Sequence, residues 1–155
     1  MSKKCCESGD GCSSGGCSGG GCSGGACPKT KLSSPKLEQW PIKLALIDIS
    51  DAKFNGADIL VAADCAPLVD SDFYGNFLAS RQVLMLCPKL DERSEIYIEK
   101  LSELFKTQNI RTLTVVRLEV PCCEGVEKIV VAALEKSGVN VLVKEIVLAM
   151  NGEIV

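Results

Sequence analysis

Three apolar runs, each closing on a cysteine and each followed by a helical pattern, restrict this chain to an alternating β/α architecture. They read Asp58-Ile-Leu-Val-Ala-Ala-Asp-Cys65, Gln82-Val-Leu-Met-Leu-Cys87-Pro and Leu113-Thr-Val-Val-Arg-Leu-Glu-Val-Pro-Cys122-Cys123. Short, nearly continuous apolar runs bounded by turn residues are read as buried strands. Strands that alternate with helices pair in parallel, so their carboxyl ends share one edge of the sheet. Ligands bind along that edge in open α/β sheets. The pattern therefore carries thiols from distant segments to one rim.

Along the chain, Ile42–Ile49 is expected as a first strand, followed by Asp58–Ala63, Gln82–Leu86, Ile110–Val120 and Val139–Met150. Helices are expected over Ser71–Ser80, Asp91–Gln108 and Glu124–Ser137. Asp70 or Ser71 would cap the first of these. Tyr97, Ile98, Leu101, Leu104 and Phe105 make the apolar stripe of the second. Gly138 reads as the glycine cap that ends the third. The expected fold is a three-layer Rossmann-like or flavodoxin-like α/β domain with a mainly parallel sheet of about five strands. One joint is tight: Ser50–Ala57 is short for a parallel crossover, which usually takes about a dozen residues; with the first strand antiparallel or at an edge, the other three would still converge.

The chain divides at residue 36. Residues 1–36 carry six of the ten cysteines and are otherwise mostly Gly, Ser and Lys, with one leucine and no aromatic residue. Such a segment cannot bury enough apolar surface to offset its chain entropy, so a disordered tail is expected until something binds it. Cys5 and Cys6 open it; the blocks CSSGG, CSGGG, CSGGA and CPKTK then place Cys12, Cys17, Cys22 and Cys27 five residues apart. Glycine and serine let several thiols converge on one centre, so the tail reads as a metal- or cluster-binding segment suited to a second iron–sulfur cluster or zinc. Residues 37–155 hold the core and form the α/β domain.

Charge and composition exclude several classes. A formal net charge of −3 argues against nucleic acid or an anionic membrane as partner. No stretch is long and apolar enough to span a bilayer, and Met-Ser-Lys-Lys-Cys-Cys has no apolar region behind it, unlike a signal peptide. A cytoplasmic location follows, and ten cysteines in a reducing compartment point to metal, cluster or redox chemistry rather than structural disulfides. The chain has no histidine, so mixed His/Cys zinc sites and His-dependent nucleophilic catalysis are absent. No G-x-G-x-x-G follows the first expected strand and no Walker-type loop is present, which leaves nucleotide binding without a motif.

A single cysteine at a strand end is most often a small hydrophobe. Here Cys65, Cys87 and the Cys122-Cys123 pair end three strands, and each lies beside a proline: Pro67, Pro88 or Pro121. Four thiols complete the ligand set of a 4Fe-4S cubane. Cys122 and Cys123 also stand at a helix start, where the dipole favours thiolate. If Cys123 is instead a buried neighbour, three ligands remain, and the fourth position is open to substrate or filled from the tail. Asp64, Lys89, Arg117 and Glu119 are the other polar residues expected near the rim, with Arg117 and Glu119 placed to pair with each other or to donate towards cluster sulfurs.

Four stretches carry a family resemblance: Leu37-Glu-Gln-Trp-Pro-Ile-Lys-Leu, Gly56-Ala-Asp-Ile-Leu-Val-Ala-Ala-Asp-Cys65-Ala-Pro, Cys87-Pro-Lys-Leu-Asp91 and Glu119-Val-Pro-Cys122-Cys123. In these the chain resembles the C-terminal module of ferredoxin-domain iron–sulfur cluster-binding proteins of anaerobic bacteria and archaea, over about residues 37–153. The two-cluster ferredoxin segment of that family is replaced here by the Cys/Gly/Ser tail. The resemblance implies cluster-linked redox chemistry or cluster handling in an anaerobe's cytosol. The expected function is electron transfer or cluster carriage with a redox or cluster-assembly protein partner, rather than catalysis on an organic substrate; a homo-oligomer is compatible with it. Two rivals stand beside it. One is a metal or sulfur storage or trafficking protein working through the tail; the other is a redox enzyme with a three-Cys cluster and an open iron site.

Overall fold

A computed structural model describes residues 37, 39–91 and 94–155. Four strands form one sheet: β1 (Asp58–Ala63), β2 (Gln82–Leu86), β3 (Thr112–Leu118) and β4 (Leu142–Leu148). Their order is β2-β1-β3-β4 and every pairing is parallel. Two helices, α1 (Ser94–Thr107) and α2 (Glu124–Ser137), connect β2 to β3 and β3 to β4. They pack against each other. Right-handed crossovers place them on one face, because both connections step across the sheet in the same direction. The β1–β2 connection steps the other way and covers the opposite face, burying Phe73 and Phe77 in the core.

The apolar runs explain the centre. Ile59, Leu60, Val61 and Ala62 of β1 have no exposed surface, as befits a strand with neighbours on both edges and cover on both faces. Burial of each larger side chain is worth about 1.5–3 kcal/mol. Leu101, Leu104 and Phe105 of α1 and Val126, Ile129, Val130 and Ala133 of α2 complete the core. Helix α2 ends on Gly138, whose φ of 68° is the left-handed conformation expected of a glycine cap, and whose N–H reaches the Leu134 carbonyl.

Two expected elements are different. The Ile42–Ile49 stretch is not a strand, so the sheet has four strands rather than five. Leu44 and Ile47 are buried while Leu46 is exposed, a spacing of three that suits the 3-10 turn found at Leu44–Leu46. The short Ser50–Ala57 connection could not have carried a parallel crossover. What remains is one parallel bridge between Lys43 and Met85, with the Met85 N–H donating to the Ile42 carbonyl at 2.8 Å. Beside it, the buried Gln39 side chain pairs with β2: its amide nitrogen donates to the Val83 carbonyl and its oxygen accepts from the Val83 N–H, both at 2.7 Å. The Ser71–Ser80 helix contracts to a single π turn at Tyr74–Leu78. Gly75 and Asn76 are poor helix formers, and Asp70 is used in local bonds to the Asp72 N–H and the Asn76 side-chain amide rather than as a helix cap.

Candidate functional site

The strand order puts the topological switch point between β1 and β3, since the chain leaves β1 towards β2 on one side and continues to β3 on the other. Ala63 is level with Leu86 and Ala62 with Val116, so β1, β2 and β3 reach the rim together. Cys65 and Cys122/Cys123 flank the switch point, and Cys87 leaves the strand next to β1. The sequence expectation that three strands deliver thiols to one edge therefore has its backbone basis. The six tail thiols, Cys5, Cys6, Cys12, Cys17, Cys22 and Cys27, lie outside the described residues.

Each body thiol sits in a tight turn. Cys65 precedes a 3-10 turn at Ala66–Leu68 with Pro67 in its first positions, and its carbonyl accepts from the Leu68 N–H at 3.1 Å. Cys87 opens the loop Cys87–Asp91, closed at both ends: the Asp91 N–H donates to the Cys87 carbonyl, and Asp91 Oδ2 accepts from the Cys87 N–H, each at 2.8 Å. Pro121–Cys123 form a 3-10 turn that leads directly into α2. All four are free thiols; Cys65 and Cys122 are exposed, Cys87 is partly exposed and Cys123 is buried.

Cys123 departs from the expectation for a helix start. Burial pushes its thiol pKa up to about 11, a backbone hydrogen bond at Leu118 opposes the rise, and the neighbouring thiols of Cys122 and Cys65 add to it. Desolvation outweighs the helix dipole here. Among the described residues, no three Cys, Asp or Glu side chains stand close enough to hold a single metal ion.

An open cleft of about 490 Å³ borders Cys122, lined by Pro88, Lys89, Pro121, Glu124, Gly125 and Lys128. On its wall α2 approaches the Cys87 loop closely at Gly125. A Cβ on Gly125 would come within 2.6 Å of the Pro88 ring. Lys89 thus lies beside the rim as expected. Arg117 and Glu119 do not pair with each other. Arg117 on β3 and Glu119 just beyond its end reach different neighbours: Arg117 Nε donates to Glu145 on β4 at 2.7 Å, whereas Glu119 accepts the Met150 N–H at 3.1 Å.

Asp64 is near the rim as expected, but its partners Lys43 and Asp91 were missed in the sequence. Lys43 Nζ stands 2.6 Å from Asp64 Oδ2 and 3.2 Å from Asp91 Oδ2. Burial acts to lower the Lys43 pKa, and the two carboxylates outweigh it, so the ammonium is held above its ordinary value. Asp91 is also desolvated, yet the Cys87 N–H and Lys43 keep its pKa lowered. Tyr97 is buried on α1, and that burial, with the negative charge of Asp91, raises its phenol. The available signal was two charged residues, Lys43 and Asp91, inside otherwise apolar or turn-forming motifs.

No helix among the described residues is long and apolar enough to cross a membrane. An uncharacterized protein of Archaeoglobus fulgidus is 29% identical to this chain over 119 residues, covering 77% of this chain and 83% of that one. No solved structure matches the chain. A family model described as a Rossmann-like domain matches residues 52–155, which takes in all four strands, both helices and all four rim thiols, and the chain belongs to that family.

Proposed function

We propose that this is a cytoplasmic iron–sulfur protein whose body holds a 4Fe-4S cluster on Cys65, Cys87, Cys122 and Cys123, and that it works in electron transfer or cluster carriage for a redox or cluster-assembly partner. The observation that carries the reading is the gathering of four free thiols at the carboxyl ends of three adjacent strands, around the switch point. The donor set fits: it is all sulfur in a chain without histidine. A cubane takes one thiolate on each iron, so its ligands stand further apart than those that share one ion. A cluster bound here supplies one-electron chemistry. The chain's own residues shape the place: Pro67, Pro88 and Pro121 stiffen the ligand turns, Gly125 lets α2 close over the Cys87 loop, and Asp91 fixes the Cys87 backbone. The resemblance to ferredoxin-domain iron–sulfur proteins supports the same reading, and the tail would supply further thiols for a second cluster or for passing iron and sulfur on.

One observation favours a second reading. Cys123 is 4% exposed and belongs to the hydrophobic core, whereas the other three thiols are accessible. With Cys65, Cys87 and Cys122 alone as ligands, one iron would be open to an external ligand, as in a redox enzyme.

The test is iron, sulfide and zinc content with Mössbauer spectra on anaerobically purified full-length chain, wild type and with all six tail cysteines changed to serine. The reading expects about four irons and about four sulfides to remain on the serine variant. A serine variant without iron overturns the body site and moves the function to the tail as metal or sulfur storage or trafficking.

A further inference from the structure

We propose that Lys43 is a positioning residue for the thiol rim: its ammonium group ties the carboxylate beside Cys65 to the carboxylate that holds Cys87, and so sets the relation of those two loops. The inference rests on the reading of the rim as a ligand set, but its geometry is independent of any metal.

Lys43 belongs to none of the strands. A single backbone bridge to Met85 brings it alongside β2, pointing its amine to the rim. There it meets two acids from different segments, Asp64 at 2.6 Å and Asp91 at 3.2 Å. Asp64 directly precedes Cys65, and its N–H donates to the Leu86 carbonyl at 3.1 Å, immediately before Cys87. Asp91 Oδ2 accepts the Cys87 N–H at 2.8 Å. One ammonium group thus connects the turn that presents Cys65 with the bond that orients Cys87. The other Asp64 oxygen, Oδ1, is buried without a partner, so among the described residues Lys43 is the group that fixes this carboxylate.

The three side chains are only 34%, 32% and 21% exposed. Partly buried charges interact more strongly than surface pairs, and two carboxylates left without the cation would repel each other. Their separation would push the Cys65 turn and the Cys87 loop apart. An ion pair serving only stability could lie anywhere on the surface; this one joins the backbone of two thiol loops.

The experiment uses full-length protein and three variants, Lys43→Gln, Lys43→Arg and the double variant Lys43→Gln with Asp64→Asn, which removes the repulsion if the single change fails to fold. In metal-free protein, alkylation of each cysteine is followed by mass spectrometry of its own peptide. Lys43→Gln is expected to change the Cys65 and Cys87 rates by about threefold or more while Cys123 stays slow, and Lys43→Arg restores them. After anaerobic reconstitution with ferrous iron and sulfide, Lys43→Gln should retain less than about half of the wild-type iron and show an altered Mössbauer spectrum, again restored by arginine. Unchanged alkylation rates in a folded Lys43→Gln or double variant overturn the proposal. Wild-type protein whose rim takes up no iron overturns the cluster reading instead, and the alkylation rates still decide the role of Lys43.

Discussion

The two ends of the parallel sheet both carry an aspartate held by a cation, and they use it differently. At the amino end, Asp58 opens β1 and is fully engaged: Arg111 grips it with two nitrogens, Nε at 2.8 Å, and the Thr112 hydroxyl donates to it at 2.7 Å. These bonds hold its carboxyl down at about 2. They staple β1 to the start of β3, and no described cysteine lies at that end. At the carboxyl end, Asp64 has one oxygen on Lys43 and one buried without a partner, among four free thiols. Asp58 itself is fully bonded, although Gln82 Oε1 at the start of β2 is buried without a partner and a cleft of about 500 Å³ opens beside it. The carboxyl end keeps four free thiols and an incompletely bonded aspartate. The contrast is between an aspartate that only ties strands together and one set among free thiols where ligands bind in open α/β sheets.

Substituting the rim thiols should break the contrast most strongly. Cys65→Ser, Cys87→Ser and Cys122→Ser in full-length protein with serines in the tail are each expected to lose more than about three quarters of the bound iron, with stability of the metal-free protein moving by less than about 0.5 kcal/mol in urea titrations. An iron-free variant that is also unfolded would show that these residues serve the core instead.

Gly125 tests the packing that closes the rim. Gly125→Ala would ordinarily favour a helix, but the added Cβ meets the rigid Pro88 ring, so a loss of about 1–3 kcal/mol is expected in urea titration, together with weaker iron retention. A neutral or stabilising outcome would mean that the Cys87 loop yields easily and is not held by α2.

The adjacent pair Cys122-Cys123 sharpens the comparison within the rim. In metal-free protein near neutral pH, Cys123 should alkylate about tenfold or more slowly than Cys122, because burial holds its pKa up to about 11 while Cys122 is exposed. Equal rates would place Cys123 with the accessible thiols.

The smallest effect belongs to the amino end. Asp58→Asn should cost about 1 kcal/mol or less at neutral pH, since Arg111 is largely exposed and solvent screens the pair. Asp58 has a folded pKa below its unfolded value, so its stabilisation is present above the ordinary carboxylate range near 4 and is lost as pH falls through about 2. The wild-type and Asp58→Asn stability curves should therefore converge between about pH 4 and pH 2, with iron content equal in both. A large iron loss in this variant would erase the division between the two ends.

Much of this division could be read from residues. Short runs of Val, Leu, Ile and Ala marked β1, β2 and β3, and Glu124–Ser137 with its glycine cap was found at the boundaries of α2. Parallel pairing then placed the cysteines at one edge. Local patterns misled where apolar spacing was ambiguous: Leu44 and Ile47 resemble part of a strand until their separation of three is weighed against the short connection that follows. The sequence left Cys123 open between a fourth ligand and a buried thiol, because adjacent residues in a turn can face opposite environments; the structure buries it and exposes Cys122. The Lys43, Asp64 and Asp91 assembly was hidden for another reason. Its members come from three segments, and only the bridge to Met85 and the folded Cys87 loop bring them together.

The Gln39 side chain has a consequence for association. It occupies both main-chain groups of Val83 on the outer side of β2, a place where a neighbouring strand would otherwise bond. Flat, unpaired sheet margins recruit strands from other molecules and lead to aggregation. The Gln39 amide at Val83 and the Ile42 carbonyl at Met85 thus cover this margin together, leaving little of β2 as a template for another strand.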